Sequence, residues 1–324
     1  MTASTHPASP IPLPVVIDSD PGIDDCLALL LALKSPELDV RGISISYGNT
    51  VVEHAWRNAV EILRRAGQRR PLAVGARRPL KRALVTARET HGDSGLGYAA
   101  VPRAGSVLDF AKTLVELLAA QPEPVTLVTL GPVTSLALAL HREPDLVRAK
   151  VARHLAMAGC FRVKGNTTPH SEFNAWCDPE ALDVVVRANL GGGGGSELVP
   201  LDVTRQIVVT GEEVARLGQS PDDAERWLHD ALRFYVEFHR RRERLDGCVV
   251  NDILPIAALI RPDVMALRSS HVAVILDDGD DRGRTRGDKE GTPIGVAEQV
   301  RPDLVRQLLF ERVLPSLAGA EAHS

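Results

Sequence analysis

The chain has 324 residues, of which 44% are apolar and 25% are charged, and its formal net charge is -4. This composition is that of an ordinary folded protein, which argues against both a disordered chain and a membrane protein. The slightly acidic balance offers no basic surface to a phosphate backbone, so nucleic acid is not an expected partner. The longest apolar run, residues 26–33, is far shorter than the ~20 residues of a membrane helix, and no membrane partner is expected.

The first residues and the cysteines indicate neither export nor cross-linking. Residues 1–14 are rich in proline and small polar residues but lack the features of a secretory signal, so we expect a disordered tail. The four cysteines are far apart and form no Cys-x-x-Cys pair, which predicts neither a zinc site nor a disulfide framework. We therefore expect a cytoplasmic protein with one folded domain over residues 15–324.

Short β-branched runs alternate with helical patterns along the chain. The first three strand and helix pairs are predicted at residues 15–17 and 24–34, 38–46 and 51–66, and 125–130 and 133–140. Later strands are predicted at residues 155–158 and 198–203, with helices at 178–188 and 221–244. This alternation predicts an α/β fold, a single Rossmann-like domain with a mainly parallel central sheet flanked by helices. Functional loops are expected at the carboxyl ends of its strands.

Two later segments could interrupt this pattern. The five glycines at residues 191–195 are interpreted as a surface loop rather than a domain linker, because the alternation continues beyond them. Residues 272–276 and 292–296 flank a long polar loop and predict a hairpin. The aspartates of that loop lack the spacing of an EF-hand, so calcium binding there is not expected.

Four carboxylates crowd into the segment Asp18-Ser19-Asp20-Pro21-Gly22-Ile23-Asp24-Asp25, at the turn between the first strand and the first helix. Asp18 and Asp20 are two apart on a strand end and point the same way, while Asp24 and Asp25 fall in the first helical turn. Capping the helix would need only one acid. Oxygen ligands without histidine or cysteine suit Ca²⁺ or Mg²⁺ rather than zinc, so the cluster predicts a site for a hard cation.

The same segment resembles the DxDPGxDD signature of the inosine-uridine-preferring nucleoside hydrolase family. Further resembling segments follow in the family's order: Tyr47-Gly48-Asn49, Leu130-Gly131-Pro132-Val133-Thr134, Gly165-Asn166-Thr167, Glu172-Phe173-Asn174, Asp178-Pro179-Glu180, Leu201-Asp202-Val203-Thr204 and Asn251-Asp252. The resemblance covers nearly the whole chain. It implies the nucleoside hydrolase fold, a homodimer or homotetramer, and hydrolysis of the N-glycosidic bond of a small nucleoside to free base and ribose.

The resemblance also implies roles for particular residues. Ca²⁺ would be held by three carboxylates and one main-chain carbonyl, those of Asp20, Asp25, Asp252 and Leu130. The ribose would be bound by five side chains, Asp24, Asn49, Asn166, Glu172 and Asn174. Asp20, beside the metal-bound water, would be the general base. Anionic oxygens around the ring would stabilise an oxocarbenium-like transition state.

Asn251 departs from the family pattern, because many members have a histidine there that protonates the leaving base. An asparagine donates no proton at neutral pH, so leaving-group activation needs another group. His91, in a stretch that resembles a substrate loop of the family, is one candidate. Tyr235 and His239, four apart on one helix face near the base pocket, are another. A surface or packing role is the alternative for each, above all for His239, which leads into a basic run.

Three further alternatives remain open from the sequence. Trp176 or Trp227 could stack on a purine and make it a better leaving group, although a core position suits either residue. The chain could be a calcium-dependent nucleoside-binding protein that has lost catalysis. A magnesium-dependent phosphatase of the haloacid dehalogenase type also has two aspartates two apart after its first strand, which would make Asp18 a nucleophile. Pro21-Gly22 and the later asparagine and glutamate motifs do not fit that class.

Overall fold

Apolar side chains at neighbouring positions of the first strand enter two different cores. Val15 and Ile17 pack into one cluster of buried residues and Val16 packs into another, because successive side chains of a strand point to opposite faces. The structure, a computed structural model, describes residues 11–102, 111–191 and 195–318. Its main sheet is therefore covered by apolar packing on both faces, as expected for parallel strands.

The strands within the described residues are β1 (Leu13–Ser19), β2 (Leu38–Ile45), β3 (Leu72–Val74), β4 (Lys112–Thr113), β5 (Val125–Thr129), β6 (Val151–Met157), β7 (Ser196–Val199), β8 (Val208–Thr210), β9 (Gly247–Val249), β10 (Met265–Val274), β11 (Thr285–Gly287) and β12 (Thr292–Val300).

The α-helices within the same ranges are α1 (Ile23–Leu33), α2 (Val52–Arg65), α3 (Arg88–His91), α4 (Leu114–Ala119), α5 (Thr134–Arg142), α6 (Pro144–Lys150), α7 (Phe173–Cys177), α8 (Pro179–Ala188), α9 (Leu201–Thr204), α10 (Gly211–Leu217), α11 (Asp223–Glu243), α12 (Ile253–Ile260) and α13 (Pro302–Arg312). Short 3-10 helices span Pro262–Val264 and Pro315–Leu317. None of these described helices has both the length and the apolar composition needed to cross a membrane.

The large sheet has ten strands in the order β11-β10-β12-β7-β6-β5-β1-β2-β3-β4. The pairs from β12 to β4 are parallel, and β10 pairs antiparallel with both β11 and β12. The predicted α/β fold with a mainly parallel sheet flanked by helices is confirmed. The predicted hairpin near the C-terminus is also present as the β10 and β12 pair.

The chain moves outward from β1 through β2, β3 and β4, then returns to the other side of β1 as β5. Strand order therefore reverses between β1 and β5. In open α/β sheets, the loops separate at such a point and leave a crevice at the carboxyl ends of the strands. The aspartates after β1 and Leu130 after β5 both lie at this crevice.

Two sequence predictions differ from the structure in their bounds. The strand predicted at residues 198–203 is Ser196–Val199, and residues 201–203 belong instead to α9. Pro200 causes the break, since it has no N–H to donate to a neighbouring strand. The first strand begins at Leu13, within the predicted tail of residues 1–14. Residues 1–10 of that tail and 192–194 of the glycine run lie outside the described residues.

Candidate active site

Asp20 lies at the floor of the crevice with its carboxylate fully buried. Its Oδ2 atom accepts a hydrogen bond from the main-chain N–H of Asn49 at 2.6 Å. Its Oδ1 atom is buried, and no donor among the described residues reaches it. A Cβ atom at either Gly48 or Gly131 would overlap this carboxylate, so both glycines are required by close approach. Asp20 thus has one oxygen fixed by the protein and one left for another partner.

Asp25 is held by a fuller set of donors. Its Oδ1 atom accepts from the Ser19 hydroxyl at 2.6 Å, and its Oδ2 atom accepts from the Gly22 N–H at 3.0 Å and the Asn49 side-chain amide at 2.7 Å. Asn49 therefore fixes Asp25 through its side chain and Asp20 through its main chain. β1 and β2 are adjacent parallel strands, so the loops that follow them lie side by side, which accounts for this contact.

Three buried carboxylates converge next to Asp20. One oxygen each of Asp24, Asp25 and Asp252 lies within 4.8 Å of the others, whereas the ligand set expected from the family had Asp20 in place of Asp24. Burial, and then the charge of Asp25, raises the pKa of Asp24 to about 7. Burial, and then the charges of Asp24, Asp25 and Asp20, raises the pKa of Asp252 well above its ordinary value. Carboxylates that lie this close together and are this deeply buried suit a divalent cation.

Glu172 and Asn174 form the opposite wall. Glu172 caps α7, since its carboxylate accepts from the N–H groups of Asn174 at 2.7 Å and of Ala175 and Gly159 at 3.0 Å each. Burial raises the pKa of Glu172 to about 7. The Asn174 amide donates to the carbonyl oxygen of Leu130 at 2.6 Å. That carbonyl keeps a second lone pair, so the contact is compatible with cation binding by Leu130.

Asn166 is the most exposed of the predicted ribose contacts. Its side-chain oxygen accepts from the main-chain N–H of Phe173 at 2.9 Å. This hydrogen bond closes the loop of residues 166–173, which contains Glu172. Its position at the cleft is as predicted, and its hydrogen bond to Phe173 is also an ordinary turn interaction.

His91, Tyr235 and His239 form a cluster of three rings on the third side of the cleft, tilted in the first pair and edge to face in the second. The ring centroids are 5.2 Å apart for His91 and Tyr235 and 4.5 Å apart for Tyr235 and His239. His91 Nδ1 accepts from the main-chain N–H of Ile23 at 3.1 Å, so the proton of the neutral ring is on Nε2. Burial, and then the charge of His239, lowers the pKa of His91 to about 3. His91 is therefore a neutral hydrogen-bond donor at neutral pH.

His239 is buried and lines the cleft, so a surface position is wrong for this residue. Its Nδ1 atom donates to the main-chain carbonyl of Tyr235 at 2.9 Å, because a carbonyl can only accept. Burial lowers the pKa of His239. The Tyr235 phenol keeps its proton, because burial, and then the charge of Asp24, raises its pKa well above the ordinary value.

Asn251 lies between the carboxylates and the outer cleft. Its main-chain N–H donates to Asp24 at 3.3 Å, and its side-chain oxygen accepts from the Thr204 hydroxyl at 2.8 Å. The tryptophans are placed elsewhere: Trp227 is buried, with its indole N–H donated to the carbonyl of Ala100 at 2.8 Å, and Trp176 lines a different pocket. Stacking of either tryptophan on a base is therefore wrong for this cleft, and the core position expected for Trp227 is confirmed.

These walls line a single cleft. Most of the predicted site residues line it: Asp24, Asn49, His91, Leu130, Asn166, Glu172, Asn174, Tyr235, His239, Asn251 and Asp252. Asp20 and Asp25 lie beneath them. Sequence reasoning missed several lining residues, namely Met157, Phe173, Arg205, Phe238 and Glu243. Phe173 lies inside a recognised segment and Arg205 directly follows one, so their positions could have drawn attention to them; the other three lie outside these segments.

The loop that carries Glu172 is tied to the C-terminal hairpin. The Thr285 hydroxyl accepts from the N–H of Cys160 at 3.0 Å and lies 2.9 Å from the carbonyl oxygen of the same residue. The Ser171 hydroxyl donates to the carbonyl of Arg282. These contacts fix both ends of the loop that forms one wall of the cleft.

Comparison with known proteins agrees with this geometry. The family model described as inosine-uridine preferring nucleoside hydrolase matches residues 15–307, and the chain belongs to this family. It is thus a member of a metal-dependent class of enzymes that hydrolyse the N-glycosidic bond of ribonucleosides. The phosphatase alternative is wrong.

Among its relatives is the pyrimidine-specific ribonucleoside hydrolase of Citrobacter koseri, 37% identical over 81% of this chain and 84% of the relative. The non-specific ribonucleoside hydrolase of Escherichia coli is 38% identical over the same shares of the two chains. A solved plant nucleoside hydrolase superposes with a TM-score of 0.83 at 31% identity, covering 93% of this chain and 99% of that one. The predicted family, fold and enzyme class are confirmed.

Proposed function

We propose that this cleft hydrolyses ribonucleosides with a bound Ca²⁺, and that Asp20 takes the proton of the attacking water. One observation carries the proposal: the buried Oδ1 atom of Asp20 has no donor among the described residues, next to three converging carboxylates. Burying such charges without a counter-charge costs several kcal/mol per ion. A resident divalent cation would offset that cost.

The cation would be held by the carboxylates of Asp20, Asp25 and Asp252 and by the main-chain carbonyl of Leu130. All four are oxygen ligands, and the charged groups with the largest effects on the pKa of Asp20 and Asp252 are themselves carboxylates. Oxygen-only ligands of this kind suit Ca²⁺ better than a transition metal. When bound, the cation supplies positive charge that orients the ribose diol and acidifies water.

The ribose would lie against Asp24, Asn49, Asn166, Glu172 and Asn174. As the bond between C1′ and the base nitrogen breaks, positive charge develops on the sugar ring, and the nearby carboxylates stabilise it. The water oxygen bonds to C1′, and Asp20 accepts the proton through its unpaired oxygen. Asp24 and Glu172 need to be ionised for this, which their raised pKa values allow from about neutral pH upward.

The base would face the ring cluster of His91, Tyr235 and His239. Neither imidazole is charged at neutral pH, and Asn251 has no proton to transfer. We therefore propose that His91 and Tyr235 assist the leaving base by hydrogen-bond donation rather than by transfer from an imidazolium.

The wider setting is also a proposal. We infer a cytoplasmic enzyme of nucleoside catabolism or salvage that assembles as a homodimer or homotetramer, as the family resemblance implies. Light scattering of the purified chain, with the expected mass two or four times that of the 35.0 kDa chain, tests the assembly.

Release of reducing sugar from purine and pyrimidine ribonucleosides tests the function. We expect release that a chelator abolishes and that Ca²⁺ restores better than Mg²⁺. Asp20→Asn should lower kcat by about 10²- to 10⁴-fold, as loss of a general base does. Asp145→Asn, an exposed carboxylate on α6, is the matched control and should retain full activity. Calcium-dependent nucleoside binding without any release would overturn the proposal and indicate a binding protein.

A further inference from the structure

Arg205 and Glu243 form an ion pair at the outer end of the cleft. The guanidinium donates from one terminal nitrogen to the Glu243 carboxylate and from the other to the carbonyl of Lys164 at 3.1 Å. Their side chains are 29% and 27% exposed, whereas Asp252 at the inner end is 4% exposed. Both residues line the same cleft as the ribose contacts, so the pair lies on the side away from the buried carboxylates.

A chain of contacts leads from the sugar end of the cleft to this pair. Asp24 accepts from the main chain of Asn251, and the Asn251 side chain accepts from Thr204, the residue before Arg205. Glu243 follows His239 by one turn of α11, which places the ion pair beside the cluster of rings. The charges of Glu243 and Arg205 also act on His239, in opposite directions. A base attached to a ribose at Asp24 would extend toward this end.

We propose that Arg205 donates a hydrogen bond to the keto oxygen at C4 of a pyrimidine or C6 of a purine as the base departs. It would thereby select nucleosides with a keto oxygen at that position over those with an amino group there. The proposal rests on the proposed function of this cleft. The favoured substrates would be nucleosides of uracil and hypoxanthine, and the disfavoured ones would be those of cytosine and adenine.

The chemistry of bond cleavage explains why a guanidinium suits this position. When the bond between C1′ and the base nitrogen breaks, its electron pair stays on the base and spreads to the keto oxygen. The oxygen of water bonds to C1′, its proton passes to Asp20, and the anionic base takes a proton from solvent after release. A preorganised cation at the keto oxygen stabilises the negative charge as it develops. This help is needed because Asn251 transfers no proton.

Hydrogen-bond polarity explains the selectivity. Arginine carries five N–H donors and no acceptor, and it stays charged at all physiological pH values. The two bonds described above use one donor on each terminal nitrogen. If an amino group replaced the keto oxygen, its N–H donor would face an N–H donor of Arg205. Neither donor would then have an acceptor. Sites built around such a bond discriminate strongly against the mismatched partner. Glu243 holds the guanidinium in place, so less side-chain freedom is lost when the base binds.

Steady-state kinetics of Arg205→Met with uridine, cytidine, inosine and adenosine tests the proposal. The reference substrate is 4-nitrophenyl riboside, whose leaving group departs as a stable anion without assistance. We expect kcat/KM for uridine and inosine to fall by about 10²-fold, the effect of removing one such donor. The loss for cytidine, adenosine and the nitrophenyl riboside should be at least about tenfold smaller. Arg205→Lys keeps the cation and should restore part of the loss.

The control is Arg162→Met, another arginine with two acidic neighbours, Asp202 and Glu298, which does not line the cleft. It should leave all five rates unchanged. Equal losses for keto and amino nucleosides would overturn the role of Arg205, as would a native enzyme that prefers cytidine and adenosine. Failure of the native enzyme to cleave the nitrophenyl riboside would instead contradict the proposed function itself. Thermal unfolding of each variant identifies losses caused by misfolding.

Discussion

Gly131 packs directly against the carboxylate of Asp20, where β5 and β1 end side by side. A Cβ atom at residue 131 would overlap the Oδ1 atom, the oxygen that has no donor among the described residues. Because Gly131 has no side chain, there is space beside it for the carboxylate of Asp20, the proposed general base. Both residues come from adjacent parallel strands, so the sheet itself fixes their approach.

Gly131→Ala should therefore reduce activity strongly with a modest effect on folding. The added methyl forces the Asp20 carboxylate to move, and a misplacement of about 1 Å can cost about 10²-fold in rate. Gly287→Ala is the matched control, since a Cβ at that position meets nothing within 4 Å. Nucleoside hydrolysis and thermal unfolding of both variants check this prediction. Full activity of Gly131→Ala would contradict the proposed position of the reacting water.

The stability of the chelator-treated protein should fall as pH rises. Burial raises the pKa of both Asp24 and Glu172 to about 7, so the fold favours their protonated forms. That stabilisation is complete below the ordinary values of 3.8 and 4.5 and is lost as pH rises through about 7. For Glu172 alone the loss corresponds to about 3 kcal/mol.

Calcium should reverse this trend, because it would bind the ionised carboxylates of Asp20, Asp25 and Asp252. Burial raises the pKa values of Asp20 and Asp252, so the affinity for calcium should also grow as pH rises. Thermal unfolding between about pH 4 and about pH 8, with chelator and with Ca²⁺, measures both effects. We expect the two curves to diverge as pH rises. Parallel curves would mean that the carboxylates of Asp20, Asp25 and Asp252 do not hold the cation.

His91→Asn should slow nucleoside hydrolysis without shifting its pH profile. The His91 pKa of about 3 keeps the ring neutral. The substitution therefore removes an Nε2–H donor but does not remove a group that titrates near neutral pH. A loss of about tenfold or more in kcat is expected from one donor to a developing charge. The asparagine oxygen can still accept from Ile23, which protects the fold. An acidic limb in the native pH profile that disappears in the variant would show instead that His91 acts as a charged acid.

Asp178→Ala should destabilise the protein more than an ordinary helix cap does. Asp178 caps α8 through Ala181 at 3.0 Å and also accepts from Leu80 at 2.8 Å and from the Thr134 hydroxyl at 2.7 Å. Losing all three bonds should lower the free energy of unfolding by about 2 to 4 kcal/mol.

Asp222→Ala is the matched control for this cap, because Asp222 caps α11 through a single bond to Ala224 at 2.7 Å. Its expected cost is about 1 kcal/mol. Urea unfolding of the two variants compares the costs, and equal values would show that the contacts of Asp178 with Leu80 and Thr134 contribute nothing.

Sequence patterns predicted best what depends on neighbours along the chain. The β-branched run of β1, the Pro21-Gly22 turn and the acidic first turn of α1 are local features, and the structure contains all three. The alternation of strands and helices sufficed for the parallel sheet, because the connections between such units follow few geometric rules. The resemblance supplied the remaining candidate site residues, and most of them line one cleft.

Contacts between distant segments could not be predicted in this way. Arg205 and Glu243 are brought together by the docking of α11 against the segment after α9, and neither has a local pattern that signals a partner. The bond from Asn174 to the carbonyl of Leu130 likewise depends on how α7 packs beside β5. Pro200 is a local signal for the end of a strand. It lies within an apolar run, however, and that run led to the prediction of one continuous strand.

The hairpin of β10 and β12 also has a consequence for how the protein is made. Thr285 holds Cys160, a residue 125 positions earlier, and β12 pairs with β7. On the ribosome, the carboxylates of residues 18–25 therefore emerge long before the loop that carries Glu172 can adopt its final position. Nucleoside binding should therefore emerge only after β12 has left the exit tunnel of the ribosome.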